Sequence, residues 1–372
     1  MNMNRILKLA ALLLALLLAA APMGALAEDI DAVELDAAPG VEEAVKLNGP
    51  SGVELDLPDP VAEPVPNPEE APAENAAAVA INSKNFPDKV FRAYVKEKFD
   101  TDGNGKLSTA EINAVTDIDV YEMGIANLKG VEHFTNLIEL DCNYNALTKL
   151  DVSKNTKLEG LGCGDNKLKT LDVSKCKALT ELNCSDNALT QLNVSKNTKL
   201  ERLSCTDNKL KSLNISKNTK LSRLFCNNNA LTKLDVRKNT KLKYLYCGDN
   251  KLKTLDVSKC KALTEFGCEN NTLTRLDVSK CKALTSLGCN DNALTKLTLG
   301  NQKELAILYA HHNKIKTIDL KNCPILKKLV KAGPTYTIGD SVWFEDTENI
   351  NYMAINDTTK LTDGNKVLYE GK

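Results

Sequence analysis

A cysteine returns every 21 residues, at Cys142, Cys163, Cys184, Cys205, Cys226, Cys247, Cys268 and Cys289, without a slip. Leucines keep the same interval from Leu137 and Leu158 through to Leu305 and Leu326. So short and strict a period constrains the fold more than length does, because each unit of such an array packs only against its neighbours. The unit reads L-x-x-L-x-C-x-x-N-x-L-x-x-L-x-V-S-x-N-x-x. Its apolar positions are too few and too closely spaced for a helix in every unit. They read instead as two half-turns, L-x-x-L-x-C and L-x-x-L-x-V, each holding a short strand. The expected fold is therefore a mainly β repeat solenoid whose turns stack as two parallel ladders ~4.8 Å apart.

The asparagine at position nine of the unit recurs from Asn145 and Asn166 to Asn292 and Asn313. A bend without a helix leaves backbone groups unpaired inside, and a stacked column of amides is expected to bond those groups and the next amide. The neighbouring position eight, with Asp165, Asp186, Asp207, Asp249 and Asp291, reads as turn-forming rather than as a row of metal ligands. The cysteine column should point inward at strand spacing, which is wider than the ~3.8 Å Cβ separation a disulfide needs. That geometry favours free, packed thiols, although the total of twelve cysteines fits an exported protein with disulfides. If a pair oxidises, Cys260 and Cys281, adjacent in the position-19 column, come first.

Ahead of the array the chain changes character twice. Residues 1–27 carry Arg5 and Lys8, an apolar run from Leu7 to Ala21, and Ala25-Leu-Ala27, the pattern of a secretory signal peptide cleaved before Glu28. Residues 28–80 are rich in Ala, Pro, Glu and Asp, with fourteen acidic residues against Lys46 alone, and read as a disordered acidic linker. The formal net charge of −1 thus hides a charge of −13 on the linker and +10 on the rest after residue 80. No basic groove interleaved with aromatics accompanies that excess, which speaks against a nucleic-acid partner. No later apolar run is long enough to span a membrane, and a secreted monomer is expected.

Within the segment 81–136, Asp100-Thr-Asp102-Gly-Asn104-Gly105-Lys106-Leu-Ser108-Thr-Ala-Glu111 matches the twelve-residue EF-hand loop. Calcium is a hard cation that takes about six to eight oxygens. Asp100, Asp102 and Asn104 would give side-chain oxygens, Lys106 its carbonyl, Ser108 a direct or water-bridged ligand, and Glu111 both carboxylate oxygens. Gly105 permits the sharp turn at position six. Val90, Phe91, Tyr94, Val95 and Phe99 recur at helical spacing before the loop, and Ser108 with Glu111 forms a capping box after it. EF-hands usually come in pairs, yet no second loop follows; a single weak, structural Ca²⁺ site is expected.

The unit resembles bacterial leucine-rich repeats of the 21-residue IRREKO type, over about Leu137 to Leu326, and Ile125, Leu128, Val131 and Phe134 resemble an internalin-type capping turn. The resemblance implies a secreted binding scaffold and no reaction. Repeats are expected over 137–332, and alternating stretches at Thr335–Phe344, Tyr352–Ile355 and Val367–Tyr369 predict a small β cap over 333–372. Most outward positions beside the first strand are Gly, Ser, Asn or Asp. Arg202, Arg223, Phe225, Tyr244 and Tyr246 break that rule in three consecutive turns, the residue types enriched at binding hot spots, and Tyr309, His311 and His312 form a satellite group. They mark a surface for a protein or glycan ligand; the bland alternative is cross-strand pairing that merely stiffens the strands. With three histidines and no nucleophile/base set, catalysis is not expected. The functional expectation is recognition or adhesion, with a ligand-free cell-envelope scaffold as the rival.

Overall fold

The computed structural model describes residues 78–338 and 340–370. The expected leader, and the linker up to residue 77, lie outside the described residues. The repeats stack as a parallel ladder that begins at Asp117–Asp119, runs through Glu139–Asp141, Gly160–Gly162, Glu181–Asn183, Arg202–Ser204, Arg223–Phe225, Tyr244–Tyr246, Glu265–Gly267 and Ser286–Gly288, and reaches Ile307–Tyr309. Equivalent residues face each other across every step, as Leu140 does Leu161 and Leu161 does Leu182. The middle residue of each strand and the residue two positions on, a cysteine in all but the first and last, are buried, so alternation along the strand sorts core from surface. Each such leucine adds ~1.5–3 kcal/mol over its exposed state, and stacking makes the core continuous.

Position eight holds the left-handed backbone in every unit. Asp165, Asp186, Asp207, Asn228, Asp249, Asn270 and Asp291 have φ between 48° and 53°, and Tyr144 and His312 take the same conformation. Asp and Asn tolerate it better than other side chains, which accounts for that column. The Asn column beside it bonds the backbone groups as expected, but not the next amide. Asn166 Nδ2 donates to the carbonyls of Cys142, Cys163 and Gly164, while its Oδ1 accepts from Leu147 N at 2.9 Å. Asn187, Asn208, Asn229, Asn250, Asn271 and Asn292 repeat the pattern. The amides thus stitch each turn to the backbone of the one before it rather than to one another. With four acceptor and donor demands met on backbone atoms, none is left for a neighbouring amide.

A second ladder forms only near the end of the array. Arg275–Asp277 pairs with Lys296–Thr298, and Thr317–Asp319 with Lys360–Asp363, while the corresponding segments of earlier units are not strands. Position 15 is Asp or Asn in those units, and its side chain accepts from the amide two residues on, as Asp151 does from Ser153 at 2.9 Å, but Asp277 and Asp319 make the same bond inside the paired strands. The Asx bond is therefore compatible with both conformations, and the difference lies in the following turn. The two strand pairs arise where the following turn offers Thr298 or Thr362, β-branched residues whose carbonyls accept from Val278 N and Leu320 N.

All twelve cysteines are buried, unpaired thiols, including Cys260 and Cys281. Burial pushes the thiols up, Cys205 and Cys289 to about 12. In the position-19 column, Asn155, Asn197, Asn218 and Asn239 are fully buried. Asn197 Nδ2 donates to Val173 O at 2.9 Å and Cys176 O at 2.8 Å, but its Oδ1, like that of the other three, finds no partner. Cys176 in the same slot offers only a long contact from Sγ to Val152 O, 3.4 Å.

Both ends depart from the repeat. Leu326 keeps the 21-residue beat yet lies in helix α3, Pro324–Ala332 by chain order after two N-terminal helices, α1 (Lys89–Phe99) and α2 (Thr109–Ala114). Pro324 opens α3, and Leu326, Leu329 and Val330 turn one face inward, a helical spacing that overrides the leucine register. The cap then imitates one more turn: Asn351–Asn356 lies parallel to Ile307–Tyr309 and Lys360–Asp363 parallel to Thr317–Asp319. Asn356 Oδ1 accepts from Asn313 N at 2.9 Å and so extends the stitching. Ser341–Asp346 and Tyr336–Ile338 then continue the sheet antiparallel.

Candidate functional site

Two places carry candidate chemistry. The first is the loop between α1 and α2 that carries the EF-hand-like spacing. Asp88 caps α1, accepting from Val90 N and Phe91 N, and its second oxygen reaches Ala126 N at 2.9 Å, tying the helix to the first turn of the solenoid. Phe91 and Val95 bury themselves there with Phe86, Phe134 and Leu107, whereas Val90 is exposed. Asp100, Asp102 and Glu111 each place a carboxylate oxygen within 4.8 Å of the others. Asp100 is 8% exposed; its Oδ2 accepts from Gly105 N at 3.0 Å and its Oδ1 is buried without a partner. Asn104 Oδ1 accepts from Lys106 N at 2.8 Å, and Ser108 Oγ receives Glu111 N at 3.1 Å to complete the capping box. Glu111 is bonded by the Thr101 hydroxyl and amide at 2.7 and 2.6 Å and by Ser108, which holds its carboxyl at about 2. A buried, orphaned carboxylate oxygen facing two more carboxylates fits a hard divalent cation. Asp100, Asp102, Asn104, Lys106, Ser108 and Glu111 would hold it.

The loop's own short strand, Lys106–Leu107, pairs antiparallel with Val79–Ala80, and Ile81 N donates to Gly105 O at 2.9 Å. Sequence reading placed Val79 and Ala80 in the linker. Their apolar side chains are half-buried, and they pair the edge of the loop's strand, so regular structure starts before residue 81.

The second place is the strand face. Register aligns Arg202 with Arg223 and Tyr244, and Ser204 with Phe225 and Tyr246, so the five expected residues do form one patch. Phe225 and Tyr246 stack at 5.5 Å with planes 22° apart, and the Arg223 guanidinium sits 5.1 Å from the Tyr244 ring centre. Part of the patch is spent inside the face: Arg202 pairs with Glu181 at 2.8 Å, and the Tyr246 hydroxyl donates to Glu265. Burial, then that bond, raises the Tyr246 pKa.

Sequence reading missed what lies next to Tyr246. A cavity of about 460 Å³ is lined by Tyr246, Glu265, Gly267, Glu269, Gly288 and Tyr309, among others. The signal in the sequence is a pair of glycines, Gly267 and Gly288, standing in the aromatic column. Farther along, His312 bridges Asp291 Oδ1 at 2.7 Å and Asp340 Oδ1 at 3.3 Å, linking the last repeat to the cap. His311 packs on Trp343 at 5.3 Å, and burial lowers its pKa.

No family model matches the chain. Over 71 residues, 19% of its length, it is 37% identical to Internalin J of Listeria monocytogenes, of which it spans only 8%. The solved functional domain of that protein, described as including a cysteine ladder, is 30% identical, with 67% of this chain and 70% of the other covered and a TM-score of 0.42. A leucine-rich-repeat protein of Leptospira interrogans is 24% identical, covering 52% of this chain and 67% of its own, with a TM-score of 0.41. No helix among the described residues is long and apolar enough to cross a membrane. The chain is a leucine-rich-repeat solenoid similar to those of the internalins.

Proposed function

We propose that the chain is a secreted leucine-rich-repeat module, stabilised by calcium at its N-terminal cap, that binds a protein or glycan through its strand face in recognition or adhesion and performs no reaction. The observation that carries this reading is the patch of Arg202, Arg223, Phe225, Tyr244 and Tyr246 gathered from three turns. Flat aromatic area on a rigid sheet binds with little ordering loss, and arginine adds directional donors. Calcium fits as a clamp: by filling the space around the Asp100 oxygen it would hold α1 and α2 against the first turn. The rival, a scaffold without a ligand, draws support from the Arg202–Glu181 and Tyr246–Glu265 contacts, which spend two patch residues within the sheet. Replacing Arg223, Phe225 and Tyr246 together by alanine and screening protein and glycan arrays separates the two. Loss of a ligand that the parent retains supports recognition; unchanged or absent binding by both proteins favours the scaffold.

A further inference from the structure

Position five of successive units forms a single row across the strand face: Phe225, Tyr246, Gly267, Gly288 and Tyr309. In a row of stacked rings only edges meet solvent, and π faces become free where the row breaks. Gly267 and Gly288 make such a break. Three strand spacings of ~4.8 Å set the backbones of Tyr246 and Tyr309 about 14 Å apart, with a glycine floor between them. The Tyr246 ring leans over that floor, since a Cβ on Gly267 would come within 2.8 Å of its Cδ1. Glu265 and Ser286 stand along one side of the opening, Glu269 and Asn290 along the other. The Glu269 carboxylate borders the floor, its Oε2 2.9 Å from a Cβ built on Gly267 and 3.4 Å from one built on Gly288.

The charge here runs against its surroundings. The chain after residue 80 carries +10, yet no lysine or arginine lines this cavity, which holds two carboxylates. Burial, and then Asp249 and Asp291, raise the Glu269 pKa, as befits a carboxylate with no cation beside it. We propose that this slot receives a cationic side chain of a partner polypeptide, arginine in the first place, with the guanidinium lying against Tyr246 and paired to Glu269. A planar guanidinium can stack on a tyrosine face and give two parallel N–H bonds to one carboxylate, a combination that a lysine ammonium or a neutral sugar lacks. A neutral ring in the same slot would leave both carboxylates uncompensated. The proposal rests on the strand-face reading above and names a partner chemistry for it.

The probe is acetyl-Gly-Arg-Gly-amide, titrated into the protein while the Gly267 and Gly288 amide signals are followed by NMR. Saturable shifts are expected that weaken about tenfold or more in Glu269→Gln, as a lost charge-assisted pair implies. They should fall as salt rises and be absent with the citrulline counterpart, which has the same shape without the charge. Gly288→Leu closes the slot; the nearest atoms to its Cβ lie at 3.4 and 3.9 Å, so the substitution fits, and it should abolish the shifts. Equal binding of the citrulline peptide, shifts that persist in a folded Gly288→Leu protein, or N,N′-diacetylchitobiose moving these amides where the arginine peptide does not would each overturn the proposal. Should Gly288→Leu not fold, Glu269→Gln and the citrulline comparison decide alone. On the arrays, a partner lost in Arg223→Ala/Phe225→Ala but kept in Gly288→Leu refutes the slot and leaves the strand-face reading standing.

Discussion

Replacing Asn250 by alanine tests the stitching of one turn to the next. The carboxamide serves four backbone groups: Leu231 N–H at 2.9 Å and the carbonyls of Cys226, Cys247 and Gly248 at 3.0, 3.2 and 2.9 Å. The three carbonyls keep another donor, from Asn229 at 3.3 Å, Asn271 at 3.0 Å and Asn228 N at 3.2 Å respectively. Leu231 N–H keeps none among the bonds described, and Leu231 is fully buried. An orphaned buried donor costs about 1–3 kcal/mol, and the thinned carbonyls add ~1 kcal/mol together, so Asn250→Ala should destabilise by ~2–4 kcal/mol. In an array the damage stays near the altered turn, so native-state hydrogen exchange is the assay, with the Leu231 amide and its neighbours losing protection by that amount while the N-terminal turns keep theirs. Asn218→Cys is the control. It loses the Asn218 bonds to the Val194 and Asn197 carbonyls, which keep donors in Asn197 N and Leu200 N, but it also removes an Oδ1 orphaned in the core, and Cys176, Cys260 and Cys281 occupy the same slot elsewhere, so this change should be near neutral. A cost under ~0.5 kcal/mol for Asn250→Ala, or an equal cost for Asn218→Cys, would refute the reasoning.

Calorimetric titration should find about one Ca²⁺ per chain with Kd on the order of 10⁻⁴–10⁻³ M, abolished by Glu111→Gln; two or more sites would point to the position-eight aspartates. Glu111 is held at about 2 against an ordinary 4.5, first by the Thr101 hydroxyl, so its contribution to the cap is present above pH 4.5 and lost as pH falls through 2; circular dichroism of Glu111→Gln against the parent should converge at the acid end. Asp186 goes the other way. Burial, then Asp165 and Asp207, raise it from 3.8 to about 6, so the stability it lends is complete below pH 3.8 and lost as pH rises through 6. Asp186→Asn, which suits the left-handed φ of 51°, should therefore gain in urea midpoint over the parent at pH 8 and not at pH 4, by a small margin because the side chain is only partly covered and solvent still reaches it. Thiol reagent at pH 8 should find almost no reactive cysteine in the native protein and twelve after denaturation without reductant; fewer than twelve would mean that disulfides form.

The stacked architecture was legible because one spacing repeats the same side chains, and because Asp and Asn at position eight announce a backbone that few other residues accept. The clustering of Asp100, Asp102 and Glu111 was legible for a similar reason: with Asn104 they mean little singly and much at fixed intervals. The second ladder misled, since L-x-x-L-x-V has strand periodicity in every unit while pairing forms only where the following turn offers Thr298 or Thr362. Leu326 misled too, because a leucine on the beat says nothing about Pro324 two residues earlier. The cavity went unread because its floor consists of absent side chains, and only the register of Tyr246, Gly267, Gly288 and Tyr309 gives the absence a shape.

The pairing of Val79–Ala80 with Lys106–Leu107 has a mechanical side. Among the described residues, tension applied at Ala78 is met first by this two-residue clasp, which borders Gly105 and the carboxylates of the loop. A clasp that small slips under modest load unless the loop behind it is stiff, so an ion bound in that loop would set the force at which this end of the array begins to peel.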